Sequence, residues 1–190
     1  MSGKLIKSFF DRFKVLPIEV WEGLFDIGEI INCQSESILK EPGTTAHYLY
    51  FILKGSGGTI LYNRNNFVCT DILFEGEFFG EFLSFLTQKP TPHELRCFES
   101  STLLRFKHKE LYEYYEISGY SDEILKAAHL GLYIDKLTQQ MNLLSLSAEE
   151  HYKLLMKERP YIIKNVPQKY IASYLGITAQ SLSRIRKQIH

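Results

Sequence analysis

The sequence predicts an α+β fold: an antiparallel β-sandwich or barrel set between helical segments, not a series of βαβ units. Three observations predict it. Apolar residues recur at helical spacing over residues 1 to about 30. From about Ile38 to Phe106 short runs rich in Tyr, Phe, Ile, Leu and Thr alternate with Gly, Asn and Pro. After Lys109 the texture is helical to the end.

The elements follow in order. Leu5, Phe9 and Phe13, then Leu16, Val20 and Leu24, mark the first helical stretch. His47–Lys54 reads as a strand stopped by Gly55-Ser-Gly-Gly58. Thr59–Tyr62 and Phe67–Phe74 flank Asn63-Arg-Asn-Asn66, a hairpin turn by composition. Leu95–Phe98 and Thr102–Phe106 give two more strands. Beyond them Ala127, Leu130, Ile134, Leu137, Met141 and Leu144 are spaced 3, 4, 3, 4, 3. That is the a/d seam of a coiled coil, but a helix lying on its own sheet would give much the same stripe. Ser147-Ala-Glu-Glu150 is a capping box for a helix running to about Arg159, ended by Pro160.

Composition narrows the functional classes. The chain has 190 residues, 45% hydrophobic, with 13 Phe and 12 Tyr, enough for a sizeable core. No apolar run approaches the roughly 18 residues of a membrane span. The N-terminus lacks the apolar stretch of a secretory signal, so a cytoplasmic location is expected. Cys33, Cys69 and Cys97 are widely spaced and form no Cys-x-x-Cys pair, which argues against a zinc site or disulfide framework. No metal and no cofactor is expected. There is no His-x-His, Gly-x-Ser-x-Gly, Walker loop or His-Glu-x-x-His, so an enzyme, including a cupin-like one, is not expected.

Net charge is zero but unevenly distributed. Pro160 to His190 carries five basic residues (Lys164, Lys169, Arg184, Arg186, Lys187) and no acidic one. Residues 1–159 are left with 17 basic against 22 acidic. A basic end on an acidic body suits a polyanionic partner.

Within that end, Pro167 opens a helix, Ile171 and Leu175 share a face, and Ala172 is small enough for a second helix to cross closely. Gly176 supplies the left-handed stop, Ile177 plugs the turn and Thr178 caps the next helix. On that second helix Leu182, Ile185 and Ile189 fall on one side. Gln180, Arg184 and Lys187 fall on the other, with Ser183 at the edge and no carboxylate. This is helix, glycine turn, helix, with a single-sign face able to read base edges and hold phosphates. Arg184 is the first candidate for a base contact and Gln180 the second; Ser181, Ser183 and Lys187 are candidates for backbone or base-edge contacts.

Ile171-Ala-Ser-Tyr-Leu-Gly-Ile-Thr, followed by Leu182-Ser-Arg-Ile-Arg-Lys187, closely resembles the C-terminal signature of Crp–Fnr transcription regulators, the catabolite-activator-like family. Tyr48–Gly55 resembles that family's sensor-strand motif and Phe79-Gly-Glu81 its phosphate-cassette start, so the resemblance covers nearly the whole chain. It implies a cyclic-nucleotide-binding-type antiparallel β-roll with flanking helices, a long dimerisation helix and a C-terminal helix-turn-helix. The implied division is 1–110 sensor, 111–145 dimerisation helix, 146–190 DNA-binding unit, with Ala127, Leu130, Ile134, Leu137 and Met141 at the dimer interface. The implied partners are double-stranded DNA and a second copy of the chain, with RNA polymerase as a further candidate and no membrane.

The resemblance breaks at the ligand pocket. Gly80 and Glu81 match the opening of the cassette, but its closing Arg-Ser/Thr pair is replaced by Thr91 and Pro92. A cyclic phosphate would lose its cation and an amide donor, and neither Lys89 nor Arg96 stands at the motif position. Glu81 then reads as a cap for local amides, with Gly80, Glu81 and Thr91 kept as candidate pocket residues. The effector is unknown and not expected to be cAMP. The cysteines and the six scattered histidines match neither an iron–sulfur nor a haem member. Crp–Fnr members often continue into a β-stranded wing, whereas this sequence ends at His190: either the wing is dispensable or affinity rests more on the dimer. The alternative function is a ligand-binding or interaction module that does not bind specific DNA.

Overall fold

A computed structural model describes residues 3–63 and 66–189. In chain order the elements are α1 (Lys4–Phe10), α2 (Ile18–Asp26), β1 (Glu29–Cys33), β2 (Ile38–Lys40), β3 (Tyr48–Lys54), β4 (Ser56–Asn63), β5 (Asn66–Phe74), β6 (Phe78–Phe79) and α3 (Phe82–Thr87). Then follow β7 (His93–Cys97), β8 (Ser101–Lys107), α4 (His108–Ile117), α5 (Ser121–Ser145), α6 (Ala148–Glu158), α7 (Pro160–Asn165), α8 (Gln168–Tyr174) and α9 (Ala179–Ile189).

The strands make two antiparallel four-stranded sheets, ordered β1-β8-β3-β6 and β2-β7-β4-β5. Strand β3 explains why both faces are buried. Tyr50 and Ile52 point into the space between the sheets with Phe79, Leu95, Cys97 and Leu103. Leu49, Phe51 and Leu53 point the other way, into a core closed by α1, α2, α4 and α5. Side chains alternate along a strand, so an unbroken apolar run is what a strand covered on both faces requires. Each such buried side chain contributes about 1.5–3 kcal/mol.

The first helical stretch is two helices, parted by a segment ending in Pro17. The stop after β3 is a single residue, Gly55 (φ 103), because β4 already begins at Ser56. Arg64 and Asn65, inside the expected hairpin turn, lie outside the described residues; Asn63 pairs with Asn66 across it. The capping box forms as expected, with the Glu150 N–H donating to the Ser147 hydroxyl at 3.3 Å and the Ser147 N–H to Glu150 at 2.9 Å. Pro160 ends α6 but also opens α7, where its missing N–H costs nothing in a first turn.

A third core joins the sheets to the C-terminal helices. Ile60, Ile72 and Phe98 cluster with Tyr152, Leu155, Ile162, Ile171 and Leu182. Here β5 is an edge strand, and edges attract unwanted pairing. The Ser173 hydroxyl of α8 covers it, accepting from the Cys69 N–H at 2.9 Å and donating to the Phe67 carbonyl at 3.1 Å. A bulge between the pairs Thr59–Asp71 and Ile60–Cys69 leaves Thr70 without a ladder partner, and its carbonyl accepts from Gln139 of α5 at 2.7 Å.

Candidate nucleic-acid interface and ligand cassette

Helices α8 and α9 are joined by the turn that the sequence implies. Gly176 sits at φ 70, where a β-carbon would be strained, and the Ile177 N–H returns to the Ala172 carbonyl at 2.9 Å. The Thr178 hydroxyl accepts from the Ser181 N–H at 3.1 Å, capping α9. Leu182 is fully buried, and Ile185 and Ile189 pack against the same core.

That packing turns Gln180, Ser183, Arg184 and Lys187 into solvent, where all four are exposed. Among the described residues neither Arg184 nor Lys187 has an ion-pair partner. Ser181 is different: it is half-buried and its hydroxyl lies 3.0 Å from that of Thr178. Its hydroxyl thus takes part in the cap as well as standing among the candidate contact residues.

The long helix α5 divides in two. Ile124, Ala127 and Gly131 face the chain's own core, and a β-carbon at Gly131 would come within 2.7 Å of the Phe13 ring. Ala127 is therefore corrected from an interface residue to a core residue. Leu130, Ile134, Leu137, Met141 and Leu144 form an apolar stripe between 41% and 81% exposed, with Tyr133 and Leu143 beside it. Burying such a stripe against water's alternative is what drives helices together.

The cassette closes on itself. Glu81 caps α3, accepting from the Ser84 N–H at 2.9 Å and the Thr91 hydroxyl at 2.6 Å, both on Oε2. Its Oε1 faces His93 Nδ1 at 3.8 Å. Gly80, Glu81 and Thr91 are all buried, and the structure bonds Thr91 to Glu81 instead of leaving both free for a ligand. Lys40, which sequence reasoning missed, lies beneath them. Its ammonium is buried and donates to the carbonyls of His93 (2.7 Å), Thr91 (3.2 Å) and Glu41 (3.3 Å). Burial lowers its pKa, and the nearby Glu81 carboxylate opposes that shift. Of the two possible substitutes for the missing arginine, Lys89 is exposed. Arg96 is held by Glu94 at 2.6 Å and Glu36 at 2.9 Å.

Glu36 also joins α8 to the sheets. It accepts from the Tyr170 hydroxyl at 2.6 Å and lies 3.2 Å from the Lys169 ammonium, while the Tyr170 ring stacks on Phe98 at 4.0 Å. Burial pushes the Glu36 carboxyl up, but the bonds from Tyr170, Arg96 and Lys169 outweigh it and leave it below the ordinary value. A second tie is the pair Arg159–Glu77 at 2.5 Å.

Residues 30–118 match the family model for the cyclic nucleotide-binding domain. A sequence comparison with curated proteins gives no match. By fold the chain is similar to the c-di-GMP responsive global regulator CLP of Xanthomonas campestris (TM-score 0.70, 17% identity, 91% of each chain covered). It is similar too to FixK2 of Bradyrhizobium japonicum (0.69, 16%, covering 86% of this chain and 85% of that one). With the catabolite activator protein of Thermus thermophilus the values are 0.51, 16%, 93% and 85%. The antiparallel β-sandwich with flanking helices is thus a cyclic-nucleotide-binding fold, which is the sensor fold that the sequence resemblance implies. Among the described residues no helix is long and apolar enough to cross a membrane.

Proposed function

We propose that this Crp–Fnr-like chain is a homodimeric, DNA-binding transcription regulator. Residues 1–110 form the sensor, 111–145 pair two subunits, and 146–190 bind DNA through a helix-turn-helix. The observation that carries this reading is the face of α9: an uncovered stripe of Gln180, Ser183, Arg184 and Lys187 without a carboxylate, mounted on buried Leu182. A solvated face with no partner ordinarily mixes signs, whereas DNA recognition requires one. Pairing along Leu130, Ile134, Leu137 and Met141 would set two such helices in successive major grooves of a roughly palindromic site, with half-sites about 10 base pairs apart or a multiple of that.

cAMP is not the effector in this reading. The cassette has no arginine at its closing position, and its carboxylate already has two donors of its own. The test is a gel-shift series at rising salt. Binding should weaken steeply with salt, because Lys and Arg displace counterions from phosphate. Arg184→Ala should lower affinity by about 1–3 kcal/mol at one base-pair position. Equal losses on unrelated sequences would make Arg184 a phosphate contact only.

A further inference from the structure

A cavity of about 480 Å³ lies between the β-sheets, α1, α5 and α6, apart from the cassette: Gly80, Glu81 and Thr91 are not among its walls. Phe9, Phe74, Phe78, Leu132 and Leu155 supply an apolar lining from four different parts of the chain. Its size falls in the range of small-molecule sites, which combine mostly apolar walls with a few polar groups.

We propose that this cavity, walled in part by the rings of Phe9, Phe74 and Phe78, binds a small aromatic molecule that bears no negative charge and carries one hydrogen-bonding group, which lodges against His151. Three features of the walls select that chemistry. Every cation there is already engaged. Arg159 pairs with Glu77 at 2.5 Å and lies over the Phe74 ring at 4.9 Å. Lys136 pairs with Asp71 at 2.5 Å, and Arg12 donates to the Phe9 carbonyl while stacking on the rings of Phe9 and Phe13. With Asp135 and Glu158 the walls hold four carboxylates against these three cations. A phosphate ester would bring negative charge without a free partner, an uncompensated desolvation. The third feature is His151 itself. It is 4% exposed, and among the described residues its ring has no hydrogen-bond partner. A neutral imidazole carries one donor and one acceptor, so within these apolar walls the ring can bond to a ligand that brings one hydrogen-bonding group, and such a bond is stronger there than in water.

The test uses prodan, an uncharged naphthalene with a ketone acceptor whose emission shifts blue in apolar surroundings. The full chain should bind it saturably, one per chain, without displacement by cAMP. Leu132→Trp and Ala128→Phe, which fill the cavity from α5, should each abolish the blue-shifted signal. His151→Phe keeps the ring's bulk and should weaken binding roughly tenfold through the lost hydrogen bond; it decides the matter if the bulkier variants unfold. Arg184→Ala, which weakens DNA binding, should leave probe binding intact, so a failure of either reading is visible separately. Non-saturable binding, displacement by cAMP, or affinity unchanged in His151→Phe and in the folded cavity-filling variants would overturn the proposal.

Discussion

Around Glu81 the chain turns its polar side chains on one another; along α9 it leaves them facing water. In the cassette the Glu81 carboxylate, the Thr91 hydroxyl and the Lys40 ammonium all have partners within the protein, and each is buried. On α9 the guanidinium of Arg184 and the ammonium of Lys187 are exposed on a helix whose opposite side is anchored by Leu182. The difference lies in unsatisfied capacity. A group that already has its hydrogen bonds gains little from a ligand, whereas an exposed, uncompensated cation on a rigid element can exchange water for phosphate or a base edge. Residues that the sequence resemblance singles out are therefore engaged within the protein at one end and left facing solvent at the other.

The largest expected effect concerns how the two α9 faces are brought together. Leu137→Lys combined with Met141→Lys places charge in the exposed stripe of α5. Sedimentation should show monomers. Affinity for a two-fold site should fall by about 10²–10⁴, the advantage of linked binding events. Next comes Arg184→Ala, with its loss of about 1–3 kcal/mol confined to one base-pair position, measured on single-substitution duplexes.

At the cassette the expected effect is on stability instead. Glu81→Ala removes the cap of α3 and the acceptor of Thr91, and should cost about 1–3 kcal/mol in urea denaturation while DNA affinity of the folded protein is unchanged. A loss of DNA affinity without a loss of stability would erase the contrast between the two regions. The smallest effect is at Glu36. Its carboxyl sits below the ordinary 4.5, so its contribution is present above pH 4.5 and is lost as pH falls through the folded value. The stability difference between the natural chain and Glu36→Gln should therefore shrink below about pH 4.5, as read from urea titrations.

Much of α9 was legible because its logic is local. A threonine cap, a glycine stop and a 3.6-residue period lie within two dozen residues, and the structure places each as the sequence implies. The contact of the Ser181 hydroxyl with that of Thr178 was not legible, because a count of helix faces does not show what a side chain touches. The strands from β3 to β5 were legible from composition. By contrast β2, the two-residue β6, α3 and α7 are too short to show a period. Ala127 fits the heptad spacing as well as Leu130 does; only the fold reveals that the first turns of α5 are covered by its own core. The ties through Glu36 and Lys40 join residues 134 and 51–53 positions apart, a separation at which sequence pattern carries no signal.

The central claim is that α9 reads DNA as one of a pair. Selection from random duplexes followed by gel shift with the full chain tests it most directly. The expected result is a two-fold motif with half-sites about 10 base pairs apart or a multiple, bound at least about 10³-fold more tightly than random duplex near physiological salt. A dimeric sample that shifts no duplex even at low salt would contradict it.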